Sequence, residues 1–510
     1  MSWSVGLVVL AVVVVLLVVL AVYDLFQRKH AILRNFPIIG HFRYLLEAVG
    51  PELRQYIVTD NNEERPFSRD DRRWVYATSK QANSYFGFGT DNDLDQSRNY
   101  TIIKQSMFPL DSPDDVPAHP DPARQLPCAK VLGASHGRRF AFRPASIVNV
   151  SGMSFGSLSG AAIEALDRGC AIAGALHTTG EGGITPYHLH GADLVWQIGT
   201  GYFGCRDEYG AFDLEKAIAQ VQAAPIRAIE IKLSQGAKPG LGGLLPANKV
   251  TPEIAAIRGV EAGVACKSPA AHTAFTDVDS LIAFVEKLAE ATGVPVGIKS
   301  AVGQGEFWIE LATKMAEGGK GPDFITIDGG EGGTGAAPLA FSDHVSLPFR
   351  WGFTRVYRAF AEAGIADDVV FIGSGKLGMP EAAFTAFALG CDMVNVGRTA
   401  LFSIGCIQSQ RCHTDRCPTG VATQNPRLTR GLDPQDKGVR CGNYLAAVRF
   451  ELERLSWACG VTHPAKVDAD MIEVLEDRWM AETLRQMVGY EPGWGTPSKP
   501  LLDALDECHG

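Results

Sequence analysis

Three of the 11 cysteines lie within twelve positions, in the segment CIQSQRCHTDRC, and these are Cys406, Cys412 and Cys417. Their spacing, C-x5-C-x4-C, fits poorly with the C-x2–4-C pairs of structural zinc sites, unless His413 or Cys441 completes the set. The C-x2-C-x2-C run of bacterial ferredoxins is absent. Three thiolates suit a cluster with three irons, one cysteine for each. Unrelated cysteines are disfavoured, because neighbouring thiolates repel one another without a metal.

Two glycine-rich loops favour a phosphate site. The segment FIGSGKLG carries Gly373, Ser374 and Gly375, and VNVGRTA carries Gly397 and Arg398. Glycine lets backbone N–H groups approach phosphate oxygens closely, and an arginine can add a bidentate, charge-assisted contact. Tight turns alone would explain either loop, whereas the pair of loops favours phosphate binding.

Several charged residues could bind a ligand. Gln235 and Lys238 lie in EIKLSQGAKPGLGGLLP and Arg258 follows 20 residues after Lys238, so the group offers donors and two cations for a carboxylate. Lys299 in GIKS could stabilise negative charge on a flavin, although it could equally be a surface lysine. Glu181 stands between glycines in TTGEGG, and DGGEGGTGA is a second such loop; turn chemistry is the alternative for both.

The elements that must position these residues are short apolar runs rich in β-branched residues, which alternate with stretches at helical spacing. There are eight runs, at residues 146–150, 175–180, 194–199, 228–233, 294–300, 324–330, 369–375 and 392–398. Eight strand–helix units predict an α/β fold, a parallel (β/α)8 TIM barrel, with a doubly wound sheet as the alternative. A barrel enzyme has its active site at the C-terminal ends of the strands, and most of the glycine-rich segments begin where a run stops.

The composition restricts the partners. A formal net charge of −10 without a basic block argues against nucleic acid. From Val5 to Tyr23 there are 19 uncharged residues, which predicts a single membrane span in a lipid bilayer and not a cleaved signal peptide. Arg28, Lys29 and Arg34 follow this run, so the positive-inside rule places the catalytic domain in the cytoplasm. Thiols in that compartment are metal ligands or free.

Long motifs then connect the sequence to a known family. The segments SGMSFGSLSGAA, TTGEGG, QIGTGYFG, EIKLSQGAKPGLGGLLP, KVTPEIAAIR, DGGEGGTGAAP and CHTDRCPTGVATQ occur in this order. They resemble the FMN-binding synthase domain of glutamate synthase, over residues 130 to 430 in round numbers. The chain looks like a stand-alone protein of that type.

The resemblance implies FMN and a 3Fe–4S cluster on Cys406, Cys412 and Cys417. It implies conversion of 2-oxoglutarate, or a related 2-oxo acid, through 2-iminoglutarate to glutamate, with hydride from reduced FMN. Gln235, Lys238 and Arg258 would bind the 2-oxo acid, and Glu181 and Lys299 would be catalytic. By motif, the FMN-binding residues would be Val150, Ser151, Gly152, Met153, Thr179, Gln197, Lys299, Gly329, Gly330, Gly373, Ser374, Gly375, Gly397 and Arg398.

The remaining segments give the expected organisation. We expect an anchor and basic flank (1–30), an extension (31–125), the barrel (126–405), a cluster loop (406–430) and a helical C-terminal region (431–510), in which GNYLAAVRFELERLSWACG and ADMIEVLEDRW are interpreted as helices. Neither the glutaminase domain nor the β-helical domain of full glutamate synthases is recognisable. Nitrogen is therefore expected from free ammonia or a partner subunit, and the electron donor could be a ferredoxin, a reductase subunit or a membrane carrier.

Two other functions stay open at this point. The first is a membrane-tethered FMN and iron–sulfur module that transfers electrons without amination. The second is a barrel dehydrogenase for another phosphate-bearing ligand, with SIGCIQSQRC as a catalytic-cysteine loop. Substitution of Lys238 or Arg258 separates the aminating enzyme from the electron-transfer module, because only the former needs an oxo-acid site.

Overall fold

The computed structural model describes residues 2–27, 29–59, 63–94, 97–111, 119–477 and 480–509. The chain forms two compact units, residues 1–71 and 72–510, so the predicted extension at 31–125 is divided between them. Arg28 of the predicted basic flank lies outside the described residues, as do residues 60–62, 95–96 and 112–118 of the predicted extension.

The first unit is built from helices Ser2–Phe26, Ala31–Asn35 and Gly40–Leu53, followed by the π-helical turn Arg54–Val58. Within the first helix, Val5–Phe26 is long and apolar enough to cross a membrane, and its most apolar stretch of 18 residues contains no buried residue. At about 1.5 Å per residue its 22 residues extend about 33 Å, which matches a bilayer core of about 30 Å. A signal sequence near the N-terminus would meet the same criteria of length and hydropathy.

The second unit contains a closed barrel of eight parallel strands, as predicted. The strands are Val148–Val150, His177–Thr178, Leu194–Ile198, Ile226–Lys232, Val296–Ser300, Phe324–Asp328, Val370–Ser374 and Met393–Val396. Closure joins the first strand to the eighth, with Val148 opposite Val394. Nearly all residues of these strands are buried, because both faces of a parallel barrel are covered.

Helices follow most of the strands, and their ends carry recognisable caps. Ser159 accepts a hydrogen bond from the backbone N–H of Ala162, and Gly174 ends the same helix at φ +60°. The α-helices of the rest of the chain are Arg69–Ser79, Gly160–Ala173, Leu214–Ala223, Pro252–Arg258, Val278–Thr292, Glu306–Gly318, Leu339–His344, Phe349–Glu362, Pro380–Ala388, Arg398–Ser403, Pro426–Thr429, Pro434–Ala458, Leu484–Val488 and Lys499–His509.

The C-terminal region is helical over Pro434–Ala458, as predicted, but the expectation of a helix in ADMIEVLEDRW is wrong. Residues Ile472–Asp477 form a strand that pairs antiparallel with Tyr100–Ile103 and with Met480–Thr483. The segment forms a strand because its apolar residues alternate with polar ones: Ile472 and Val474 are buried, and Glu473 between them is not. The last two residues of the motif lie outside the described residues.

Helices Gly160–Ala173 and Pro434–Ala458 pack closely because each helix has a glycine at its interface with the other. A Cβ atom on Gly169 would lie 2.4 Å from Cβ of Cys441, and one on Gly442 would lie 2.9 Å from Cγ2 of Ile172. The interface therefore has no room for a larger side chain at these positions.

We expect Gly169→Ala to destabilise the protein although alanine favours helices by about 1 kcal/mol over glycine. Overpacking against Cys441 costs about 1–3 kcal/mol, so the net change in the free energy of unfolding is a loss. Denaturant unfolding measures it. The control is Gly318→Ala in helix Glu306–Gly318, where no atom lies within 4 Å of the new methyl group and a small gain is expected. Equal stability of the two variants would contradict the packing argument.

Candidate active site

A carboxylate and a lysine meet at the C-terminal ends of the barrel strands. Lys232 ends the fourth strand, and its Nζ lies 2.9 Å from Oε1 of Glu181, which follows the second strand. The same Nζ donates a hydrogen bond of 2.7 Å to Oε1 of Gln235. His272 is 2.9 Å from the carbonyl of Lys232 through Nε2, which fixes the backbone there. Two of the predicted residues, Glu181 and Gln235, are thus joined through Lys232.

Two further cations act on this carboxylate. Burial raises the pKa of Glu181, but Lys232, Lys238 and Arg258 together lower it below its ordinary value. Lys238 is 7 % exposed, and within the described ranges no hydrogen-bond or ion-pair partner lies near its Nζ. Arg258 is also buried; Nη2 donates to the carbonyl of Phe155 at 2.9 Å, while Nε has no partner.

These groups make an anion site. One carboxylate and three cations leave a formal excess of two positive charges; Lys238 and Arg258 are buried, and the side chains of Lys232 and Glu181 are 12 % and 19 % exposed. Burying a charge is costly unless an opposite charge or a hydrogen bond compensates it. Such an uncompensated group in a barrel mouth is typical of a binding site for an anionic ligand.

A polar chain crosses the barrel floor beneath this site. Gln197 donates from Nε2 to Oε1 of Glu230 at 2.6 Å, and Thr326 donates to Oε2 of the same acid at 2.7 Å. A Cβ on Gly152 would lie 2.8 Å from Nε2 of Gln197, so only glycine allows this approach. The backbone N–H of Gln197 donates to Oγ1 of Thr179. The predicted flavin residues Gly152, Thr179 and Gln197 therefore lie together.

Lys299 lies in the barrel mouth as predicted, with an acidic partner that sequence reasoning missed. Its Nζ is 3.6 Å from Oδ2 of Asp328, at the end of the sixth strand. Burial disfavours the charged lysine, but Asp328, Glu230 and Glu181 outweigh it and raise the pKa of Lys299. Asp328 also accepts from Ser374 Oγ and from the backbone N–H of Gly236, each at 3.0 Å.

The loop after the fourth strand is fixed in place by glycines. A Cβ on Gly236 would lie 1.8 Å from the carbonyl oxygen of Gly329, and one on Gly242 would lie 1.8 Å from that of Ser268. The loop carries Gln235 and Lys238, so its two contacts with neighbouring backbone hold the predicted substrate residues in position.

The glycine-rich loops after the seventh, eighth and first strands meet at one corner. Gly375 has φ +127°, and Lys376 beside it has φ +59°. A Cβ on Gly397 would have only Ser151 within 4 Å, at 3.9 Å, so this corner is open. Arg398 donates from Nη2 to the carbonyl of Glu331. Of the predicted phosphate residues, Gly397 therefore lies beside free space, whereas a Cβ on Gly375 would lie 3.0 Å from the backbone nitrogen of Gly329.

Other predicted flavin residues have structural contacts. Gly373 packs closely, because a Cβ there would lie 2.9 Å from Sγ of Cys391. The N–H groups of Gly329, Gly330 and Ser151 donate to the carbonyls of Ser374, Leu347 and Val396 at 2.8, 2.9 and 2.9 Å. Val150 ends the first strand. The backbone of Met153 packs against Gly180, because a Cβ on Gly180 would lie 2.7 Å from the carbonyl carbon of Met153. Their roles toward FMN stay predictions.

The three clustered cysteines lie on one loop after the eighth strand. Burial, with Cys412 and Cys417, raises the pKa of Cys406 to about 12, although the backbone N–H of Gln408 is hydrogen-bonded to the thiol and opposes this. Lys249 donates from Nζ to the carbonyl of Cys412 at 2.9 Å and to that of Ala422 at 2.9 Å. Among the described residues, no three His, Cys, Asp or Glu side chains are grouped to hold a single metal ion.

Cys441 does not belong to this group. Its side chain is fully buried in the interface between helices Gly160–Ala173 and Pro434–Ala458, against Gly169. The zinc alternative that uses Cys441 as a fourth ligand therefore has no support in the geometry.

The histidines at and after the second strand have structural partners. His177 Nδ1 is 3.0 Å from Oδ2 of Asp167, and His188 Nδ1 is 2.9 Å from Oγ1 of Thr185. Burial and then His177 lower the pKa of His188 to about 3.

We expect His188 to make the protein less stable in acid. Its folded pKa lies below the unfolded value of about 6.5, so the unfolded state binds the extra proton and stability falls as the pH drops from about 6.5 toward 3. At pH 5 the loss is about 2 kcal/mol relative to pH 8. Urea unfolding of the wild type and of His188→Gln at both pH values measures it. The same pH dependence in both proteins would contradict the assignment.

A closed parallel barrel with buried cations at the strand ends is typical of barrel proteins that bind an anionic ligand at that end. Comparison with known proteins makes this more specific. Residues 134–462 match the family described as "Conserved region in glutamate synthase". The chain is 38 % identical over 492 residues to the "Glutamate synthase large subunit-like protein YerD" of Bacillus subtilis, covering 89 % of this chain and 92 % of that protein.

It is also 36 % identical over 320 residues to the "Archaeal glutamate synthase [NADPH]" of Methanocaldococcus jannaschii, which covers 62 % of this chain and 59 % of that protein. Among solved structures, a flavocytochrome b2 with sulfite bound has a TM-score of 0.44 at 14 % identity, covering 95 % of this chain and 94 % of the other; this likeness is too distant to bear on function. The chain belongs to the glutamate synthase family, within the group of its FMN-binding synthase domain. Membership supports an oxidoreductase of glutamate synthase type.

Proposed function

We propose that this chain is an FMN- and 3Fe–4S-dependent oxidoreductase that aminates 2-oxoglutarate, or a related 2-oxo acid, to the amino acid. The observation that carries the proposal is the buried excess of two positive charges around Glu181. A 2-oxo dicarboxylate has two negative charges, so it would neutralise the pocket. A monocarboxylate would leave one cation uncompensated, and binding would be weaker.

Different residues of the pocket would bind different groups of the substrate. Lys238 and Arg258 would each pair with a carboxylate of the substrate, since both have unused donors. Gln235 would donate an amide hydrogen bond, because Lys232 already uses its carbonyl oxygen. Glu181 is held ionised by the surrounding cations, and it would accept a proton from nitrogen as ammonia adds to the carbonyl carbon and return that proton to the hydroxyl group that leaves as water.

The barrel mouth suits FMN. The missing Cβ atom of Gly397 leaves room for a ligand next to the backbone, and Arg398 adds a cation at the phosphate corner. Reduced FMN, when bound, would supply the hydride. Lys299, kept charged by Asp328, would stabilise negative charge near the flavin ring.

The cysteine loop suits an iron–sulfur cluster by its donor set. Cys406, Cys412 and Cys417 act on one another electrostatically, and Lys249, from another part of the chain, is hydrogen-bonded to the backbone of their loop. A backbone N–H to sulfur hydrogen bond, as from Gln408, is a device that tunes such clusters. Separate irons would bind the three thiolates, so no single-ion site is required.

We further propose that residues 5–23 anchor the protein in a bilayer with the barrel on the cytoplasmic side. The exposed apolar helix supports the anchor, and Lys29 and Arg34 after it support the orientation. The nitrogen donor would be ammonia or a partner subunit, and the electron donor a ferredoxin, a reductase subunit or a membrane carrier.

The test is glutamate formation by the purified full-length protein. The assay contains 2-oxoglutarate, ammonium and a chemical reductant, and the product is measured by amino-acid analysis against a panel of mono- and dicarboxylic 2-oxo acids. Amination of dicarboxylic acids in preference to monocarboxylic ones supports the proposal. Reduction of the flavin without formation of any amino acid would overturn it in favour of electron transfer alone.

A further inference from the structure

Helix Gly40–Leu53 in the first unit carries an apolar face that is more than a third exposed in the part of the chain that the structure describes. Phe42, Leu45, Leu46, Val49 and Leu53 recur at helical spacing and are 62, 54, 48, 38 and 40 % exposed. Residues at this spacing share one stripe of a helix about 100° wide.

The other face of this helix is polar. Arg43 donates from Nε to Oε1 of Glu47 at 2.8 Å, one turn apart, and both side chains are more than half exposed. An amphipathic helix with one ion-paired face and one bare apolar face fits a boundary between water and an apolar phase.

A buried acid joins this helix to the end of the candidate span. Asp24 is 0 % exposed and accepts a 2.9 Å hydrogen bond from the backbone N–H of Ile38. Its two carboxylate oxygens are 2.9 and 3.0 Å from Nε2 of His41. These bonds place the start of helix Gly40–Leu53 beside the last turn of helix Ser2–Phe26.

We infer that the apolar face of helix Gly40–Leu53 is a membrane-surface contact, with a lipid bilayer as its partner. The inference rests on the proposed anchor. The start of the helix lies where the span leaves the hydrocarbon core, and Tyr23, a residue type enriched at the membrane boundary, is 63 % exposed nearby. Exposed Lys29 and Arg34 lie between the two helices and suit lipid phosphates.

The test places fluorescent labels on the full-length protein in lipid nanodiscs. In a Cys508→Ser background, which removes the exposed cysteine, bimane is attached at Leu46→Cys on the apolar face or at Glu47→Cys on the polar face. Lipids brominated near the headgroup end of the chain quench labels in the interface, and iodide quenches labels in water. We expect lipid quenching at position 46 to be about fivefold stronger than at position 47, and iodide quenching to show the reverse.

A third label, at Val13→Cys in the middle of the span, separates the two proposals. If deep-brominated lipids fail to quench it, the anchor itself is wrong. If they quench it but iodide reaches position 46 as readily as position 47, the span stands and the surface contact is overturned. A label at position 46 that neither quencher reaches would also overturn it, because another part of the protein or a second copy would then cover the face.

Discussion

Replacing Lys238 by methionine is expected to raise the KM for the 2-oxo acid at least about 30-fold. Methionine keeps the length and the apolar stem but removes the cation. Loss of one partner from a buried charge pair costs about 2–5 kcal/mol, which corresponds to about 30-fold or more in affinity. Steady-state kinetics with 2-oxoglutarate measures the change, and reduction of the flavin by a chemical reductant is expected to stay at the wild-type rate.

The same substitution should not harm the fold. Burial and then the neighbouring Lys232 lower the pKa of Lys238, against the opposing effect of Glu181, so the charged lysine is unfavourable in the absence of substrate. Lys238→Met removes that charge, and the melting temperature without substrate is expected to be unchanged or higher. Substrate should then stabilise the wild type but not the variant.

The matched control is Lys287→Met on the exposed side of helix Val278–Thr292, which should change neither quantity. A Lys238→Met protein with normal KM would show that the buried cations do not bind substrate. The anion-site interpretation would then be lost, although the fold assignment would remain.

Replacing Cys417 by serine is expected to remove the cluster. The side chain is 4 % exposed, and its Sγ lies 3.5 Å from Oγ1 of Thr419. Serine is isosteric but a poor ligand for iron, because soft thiolate is what such clusters select. Iron and acid-labile sulfide in anaerobically purified protein should fall below about a tenth of the wild-type values, with loss of the brownish shoulder in the visible spectrum and retention of the flavin bands.

Cys441→Ala provides the control for this prediction. Cys441 is equally buried but lies between two helices, so iron and sulfide should stay at wild-type levels while stability falls slightly. Loss of iron in Cys441→Ala, or full iron in Cys417→Ser, would contradict the three-cysteine assignment.

The barrel could be predicted because each strand is a short apolar run that ends in glycine or a polar residue. Lys299 could be placed for the same reason, since the last residues of barrel strands face the mouth. Lys232 and Asp328 obey this rule too, at the ends of the fourth and sixth strands, and could have been found by applying it to every strand. Lys232 and Asp328 were not identified because each is the last residue of its strand and follows the apolar residues without a break in the pattern.

Other features depend on distant contacts that a single sequence does not show. The strand Ile472–Asp477 was expected as a helix because its alternation of buried and exposed residues is short, and the strand that pairs with it, Tyr100–Ile103, lies more than 300 residues earlier. The packing roles of Gly236 and Gly373 likewise depend on Gly329 and Cys391, which are remote in the chain. Local pattern could show that glycines were needed there, but not whether a ligand or the protein itself occupies the space.

The loop that carries Gln235 and Lys238 has little freedom to diverge in its path. A side chain at Gly236 or Gly242 would collide with a backbone carbonyl oxygen. No substitution of a neighbouring residue can remove that oxygen, because it belongs to the main chain. Descendants or redesigned versions of this protein would therefore change their preferred acid through side chains that line the pocket, while the course of the loop is inherited intact.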